Sequence, residues 1–270
     1  MSVLIGTLRP VPEPVLVDRD GYIATLTLNV PEKRNAMSAE MTEAFPAAVE
    51  RLTRMEDVRV VVVTGAGAAF CAGGDLDFLH TGERDVTLLR DKMTGFYPSF
   101  LGLLELDVPT IAAINGPAIG AGLCLALMCD IRVCAVDAPL GMTFVRIGLH
   151  PGMLATALLA RAVSHTWAAE LLYTGRIVTG AEALHMGLVN RAVDGDRVAE
   201  EARALAEQVA ANAPIALRYV KQGLRLAFAQ LADQAGAWEG FAQPVTMATE
   251  DVQEGLRAVK ERRPPQFRGR

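Results

Sequence analysis

Aromatic side chains make up only 6% of the 270 residues, so aliphatic side chains and alanine must fill the core. Positive charge is not in excess either. The 26 Lys and Arg face 31 Asp and Glu, a formal charge of −5. A nucleic-acid footprint needs clustered basic excess, so that class of partner is set aside. Cysteine is scarce: Cys71, Cys124, Cys129 and Cys134, the last three at equal intervals of five. Zinc sites favour tighter C-x-x-C pairs with histidine nearby. The four thiols therefore read as buried, reduced side chains of a cytoplasmic protein, with no metal. The first fourteen residues lack a basic start and hold only a short apolar run, Val3 to Leu8, so no secretory leader is read there. One long uncharged run exists, residues 108–129, as long as the ~20 residues of a spanning helix. Asn115-Gly116-Pro117, then Gly120 and Gly122, interrupt it. Those residues favour a turn, and the run reads as buried strand, turn and buried helix rather than a membrane span.

What is present is a globular composition, 51% hydrophobic and 21% charged. Residues 22–28 alternate as a half-buried strand does. Ser38 offers an N-cap for a helix carrying Met41, Phe45, Leu52 and Met55, with a kink or late start expected at Pro46. Residues 58–64 are a β-branched run ending in Gly65, and strands are also expected at 111–114 and 131–136. After Gly152 the patterns turn helical: 153–163, 164–173 and 179–186, the last with Thr179 and Glu182 at capping-box spacing. Further helices are expected at 198–211, 214–231 and 251–262. The fold class is α/β, with a core over residues 1–195 and a helical region over 196–270.

Two segments share one design: a buried strand, small residues, then a helix start. They are Val63-Thr64-Gly65-Ala66-Gly67 running on to Cys71-Ala72-Gly73-Gly74-Asp75, and Ile114-Asn115-Gly116-Pro117-Ala118-Ile119-Gly120-Ala121-Gly122. Gly65-Ala66-Gly67 tempts a dinucleotide reading, but Phe70 stands where the third glycine belongs. No P-loop pattern occurs. Two such turns would aim two backbone N–H groups at one oxygen, the requirement of an oxyanion hole. Tight packing between chain segments accounts for the same spacing equally well.

Five stretches resemble the crotonase (enoyl-CoA hydratase/isomerase) superfamily and follow its order along nearly the whole chain. They are the stretch from Leu28 to Ala36, Phe70-Cys71-Ala72-Gly73-Gly74-Asp75-Leu76, the second glycine turn, Gly148-Leu149-His150-Pro151-Gly152, and the tail from Thr249 to Gly255 with Pro265 and Phe267. The resemblance implies a spiral of ββα turns and a C-terminal helical region that mediates assembly into a homotrimer, or a hexamer as a dimer of trimers. It implies an acyl-coenzyme A thioester as ligand, coenzyme A entering as part of the substrate with no tightly bound cofactor. Ala72 and Ala121 match the backbone donors of the oxyanion hole, and Gly73, Gly74, Asp75 and Gly120 frame them. Arg34 and Ala36 match positions near the coenzyme's nucleotide, and Arg262 a basic position that reaches a neighbouring subunit's coenzyme.

The chain departs from the family where its hydratases carry two glutamates. Those positions are Cys124 and Phe144, both facing the acyl pocket by motif position. Hydration needs a base for water and an acid at the α-carbon. Phe does neither, and a thiol among apolar neighbours holds little thiolate. Ordinary hydration and double-bond migration are both unexpected. Decarboxylation or C–C bond chemistry needs less proton handling, and a non-catalytic acyl-CoA-binding protein is the other alternative. His80 and His150 are the candidate substitute acids or bases, ahead of Tyr97 and Arg146. Asp75 and Asp130 read as residues that fix turns.

Overall fold

The computed structural model describes residues 13–80 and 82–270; the run Val3 to Leu8 and Thr81 fall outside them. β1 (Val15–Asp20) and β2 (Ile23–Leu28) pair antiparallel, with Val15 opposite Leu28. A 3-10 turn, Pro31–Lys33, leads into α1 (Ala39–Thr53). The Ser38 hydroxyl accepts the Met41 N–H and fixes the start of α1, which runs through Pro46. The late start expected at Pro46 is thus corrected: a cap upstream of it sets the boundary.

β3 (Val60–Gly65) follows, with Val60 to Val63 all buried. A parallel strand covered on both faces needs such an uninterrupted apolar run. The chain continues through α2 (Leu76–Leu79), α3 (Val86–Leu101), β4 (Thr110–Ile114), β5 (Ala118–Ile119) and α4 (Ala121–Met128). β6 (Ile131–Ala135), β7 (Leu140–Gly141), α5 (Ala155–Ala162), α6 (His165–Thr174), β8 (Ile177–Val178) and α7 (Gly180–Met186) come next. β9 (Arg191–Val193), α8 (Val198–Ala210), α9 (Pro214–Met247) and α10 (Glu250–Glu261) complete the chain.

The larger sheet has the order β1-β2-β3-β4-β6-β9, parallel from β2 onward. The smaller has the order β5-β7-β8, and single bridges, Cys71 to Ala118 and Met37 to Gly74, carry it toward the first glycine turn. Successive stretches thus give one strand to each sheet and then a helix, as β4, β5 and α4 do. This is a spiral of ββα turns. Every residue of α4 is buried, so the helix is apolar all round and lies inside the molecule. Uncharged residues 108–129 are the strand, turn and helix expected of them. Among the described residues no helix is long and apolar enough to cross a membrane.

The helices after residue 195 pack in different ways. α8 starts just after the boundary placed at residue 195, yet it packs on β3, β4 and β6. α9 covers α3 and α5. α9 also runs to Met247, well past residue 231. A buried ion pair ties it to the sheet: Lys221, 6% exposed, sits 2.6 Å from Asp130. Asp130 also accepts the Thr110 N–H at 2.8 Å. β1 and α3 are absent from the sequence expectations altogether.

Candidate active site

The two glycine turns meet. Cys71 N–H donates to the Pro117 carbonyl and Ile119 N–H to the Cys71 carbonyl, both at 3.0 Å. Gly73 has φ +94, and a β-carbon on it would stand 2.5 Å from the Ile119 carbonyl oxygen. Only glycine tolerates that conformation and that approach together. Ala72, Gly73 and Gly74 from one turn and Gly120 and Ala121 from the other line a single cavity of about 210 Å³. Phe144 lines it too, its ring edge 3.8 Å from the point a β-carbon on Gly120 would occupy.

The two expected donors differ in state. Ala121 is the first residue of α4, with Gly120 as N-cap. An N–H there has no intrahelical acceptor, and it carries the positive end of the helix dipole. Arg132 and Arg161 serve the opposite end: they donate to the carbonyls of Cys129 at 2.8 Å and Leu127 at 3.1 Å. The Ala72 N–H is engaged, donating to the Arg34 carbonyl at 3.0 Å. Arg34 itself has φ 52, and its side chain is exposed; Ala36 is half-buried close by.

The rest of the lining is apolar. Phe78 stacks on Phe96 with centroids 4.9 Å apart, and Phe96 meets Tyr97 edge-on at 5.8 Å. Leu149, Met153 and Val259 add aliphatic surface. At the far side Tyr97 and Gln243 bring polar atoms into this wall. The Tyr97 hydroxyl and Gln243 Oε1 are shut from solvent and have no hydrogen-bond partner among the described residues. Gln243 Nε2 donates to the His150 carbonyl at 3.1 Å. Behind them Glu239, 1% exposed, accepts the Thr156 N–H at 2.9 Å and its hydroxyl at 2.5 Å. Burial outweighs those bonds and pushes the carboxyl above its ordinary value. Burial also raises the Tyr97 phenol well above its ordinary range, with Glu239 and Cys124 adding to it.

The other expected residues are placed as follows. Cys124 is fully buried but does not line the cavity: its sulfur lies 3.7 Å from the Gly152 carbonyl, one turn into α4 from Ala121. Burial, and then Glu239, hold its thiol well above the usual range, so it is no nucleophile. His80 is exposed and outside the lining. The His150 ring turns away to the Pro151 carbonyl at 2.6 Å, and only its backbone serves the cavity wall. Arg146 is exposed, and Arg262 is an exposed residue ending α10, with φ 53. Asp75 precedes α2 and is absent from the lining. Asp130 does anchor backbone, and all four cysteines are buried and free.

The sequence reading missed Gln243 and Glu239. Their signal was present: two polar residues four apart fall on one helix face.

A family profile described as enoyl-CoA hydratase/isomerase matches residues 18–270. A Thermus thermophilus protein assigned as an enoyl-CoA hydratase is 42% identical, over 92% of this chain and 98% of its own length. The (E)-benzylidenesuccinyl-CoA hydratase of Thauera aromatica is 35% identical over 95% of this chain and 99% of its own. Among solved structures, an enoyl-CoA hydratase/isomerase from Pseudoalteromonas atlantica superposes with a TM-score of 0.82. That structure is 31% identical, over 94% of this chain and all of its own. The chain belongs to the enoyl-CoA hydratase/isomerase family, the crotonase superfamily.

Proposed function

We propose that this protein is an enzyme that binds an acyl-CoA thioester and stabilises its enolate at the meeting point of the two glycine turns. One observation carries the reading: Ala121 N–H stands at the start of a wholly buried helix, in the wall of a cavity that Ala72 shares. A donor fixed there stabilises developing negative charge without reorganising. The second donor, Ala72, shares its N–H between the Arg34 carbonyl and the thioester oxygen, as three-centre bonds allow. Coenzyme A arrives with the substrate, and its nucleotide lies toward Arg34 and Ala36.

Ordinary hydration is not the reaction. No carboxylate lines the cavity among the described residues, and the positions that carry one in the hydratases are Cys124 and Phe144. A largely apolar wall suits cleavage of a C–C bond to a carboxylate or acyl group, which leaves the electron pair in the enolate. The engaged state of Ala72 favours the second reading, acyl-CoA binding without turnover.

Assembly into a homotrimer, or a dimer of trimers, accords with the apolar side chains that α9 leaves exposed, including Ile215, Tyr219, Leu226, Trp238 and Phe241. Light scattering on the purified protein reads this directly.

Calorimetric titration with crotonyl-, acetoacetyl- and malonyl-CoA tests the central reading. At least one should bind, and crotonyl-CoA should be hydrated far more slowly than by a relative with both glutamates. Hydration at such a relative's rate would overturn the reading of the reaction. Failure of all three to bind would overturn the acyl-CoA assignment.

A further inference from the structure

Resting on the reading of an enolate held at Ala121, we propose that Tyr97 is the proton donor of the cavity, with Gln243 as the residue that positions it. The lining offers few protons. Among its side chains only Tyr97 titrates, beside the Thr143 alcohol and the Gln243 amide. The histidines of the sequence reading face elsewhere, and Cys124 lies behind the wall.

The Tyr97 hydroxyl behaves unlike a structural one. The large majority of buried side-chain polar atoms in folded proteins are paired. This one has no partner among the described residues, and neither does Gln243 Oε1, on a residue 2% exposed. The two converge above Gly152: a β-carbon on Gly152 would overlap the Tyr97 hydroxyl and both ends of the Gln243 amide. These two unpartnered atoms, with Glu239 Oε2 unpartnered behind them, leave hydrogen bonds that a ligand in the cavity can supply.

The position suits the acyl group. Gly152 carries the carbonyl 3.7 Å from the Cys124 sulfur. Cys124 is three residues along α4 from Ala121, about 4.5 Å of helix rise. Tyr97 and Ala121 line the same cavity, so an acyl chain whose thioester oxygen rests on the Ala121 N–H shares that space with the Tyr97 side chain. Burial holds the phenol well above its ordinary range, so the hydroxyl carries its proton at neutral pH.

The step balances. The enolate α-carbon forms a C–H bond with the phenolic proton. The O–H electron pair stays on the phenolate, the C–C double bond reverts to a single bond, and the thioester C=O re-forms. The phenolate regains a proton from water as product leaves, and nothing is oxidised or reduced.

The test uses Tyr97→Phe and Gln243→Leu on the full chain, with acetoacetyl-CoA as the probe. The bound probe is converted to its enolate at high pH. A stopped-flow jump to neutral pH then follows the loss of its near-ultraviolet absorbance. Tyr97→Phe should slow that return about 100-fold, Gln243→Leu by a smaller factor, and Tyr97→Phe should unfold at no lower temperature than the wild type. Equal rates in wild type and a folded Tyr97→Phe overturn the donor role. A clear loss of stability in Tyr97→Phe overturns it too, by making the hydroxyl structural. A wild type that does not bind the probe removes the underlying enolate reading instead.

Discussion

The two glycine turns look alike in sequence and differ in how they hold an N–H. The second hands over to α4, whose first residue is Ala121. Helix geometry leaves that donor without an acceptor of its own. The first turn is a loop stitched on both sides, to Met37 through the Gly73 carbonyl at 2.8 Å and to Arg34 through the Ala72 N–H at 3.0 Å. A donor at a helix start is free by construction, whereas a donor in a loop is free only if its neighbours leave it so. The pair therefore contains one standing donor and one on loan.

Proline substitution breaks this comparison most sharply. Pro is tolerated at the first position of a helix, where the missing N–H had no intrahelical partner. Ala121→Pro should unfold near the wild-type temperature yet lose roughly 100-fold in turnover of an accepted thioester. Ala72→Pro should do the reverse in rank: a smaller catalytic loss, and a stability loss of about 1–3 kcal/mol as the Arg34 carbonyl is left unpaired. Steady-state kinetics beside thermal denaturation separates the two. Matching profiles for both variants would show that the turns act as one unit.

A second comparison, between the backbone end of the cavity and its side-chain end, sharpens with pH. The carboxyl of Glu239 is raised above its ordinary value of 4.5 by burial. The folded state therefore binds more protons than the unfolded chain above that pH. Its contribution is fully present below pH 4.5 and is lost as pH rises through the raised folded value. Glu239→Gln keeps an oxygen for the Thr156 bonds and cannot ionise. Its melting temperature should gain on the wild type as pH climbs above 4.5, and a constant gap would mean that Glu239 keeps its ordinary acidity.

The smallest effect belongs to the histidines. His80→Ala and His150→Ala should each leave turnover within about twofold, since His80 is exposed and neither ring lines the cavity. A tenfold loss in either would bring that ring back into the chemistry.

Much of the architecture was legible because local rules and burial agreed. The run Val60 to Val63 can only be an interior strand, and Thr179 with Glu182 forms the capping box its spacing promised. α3 was hidden because Gly95 and Pro98 break its pattern, although Asp85 caps it by accepting from Thr87 and Leu88. The donor turns were legible from glycine spacing together with the resemblance. The cavity floor was not. Tyr97 comes from α3, Gln243 and the Glu239 behind it from α9, and only packing of α9 on α3 and α5 brings them together. Nor does spacing reveal that the Ala72 N–H is engaged, since its acceptor is a carbonyl 38 residues away.

The four buried thiols have a practical consequence. Cys71 sits in the first turn and Cys124 in the helix of the second, and burial lifts the Cys71 thiol to about 12. Neither meets an alkylating reagent while the spiral is closed. Labelling at each site thus clocks local opening of one turn, residue by residue and without any introduced probe. Added thioester should slow both clocks, and their ratio reads which turn the ligand grips harder.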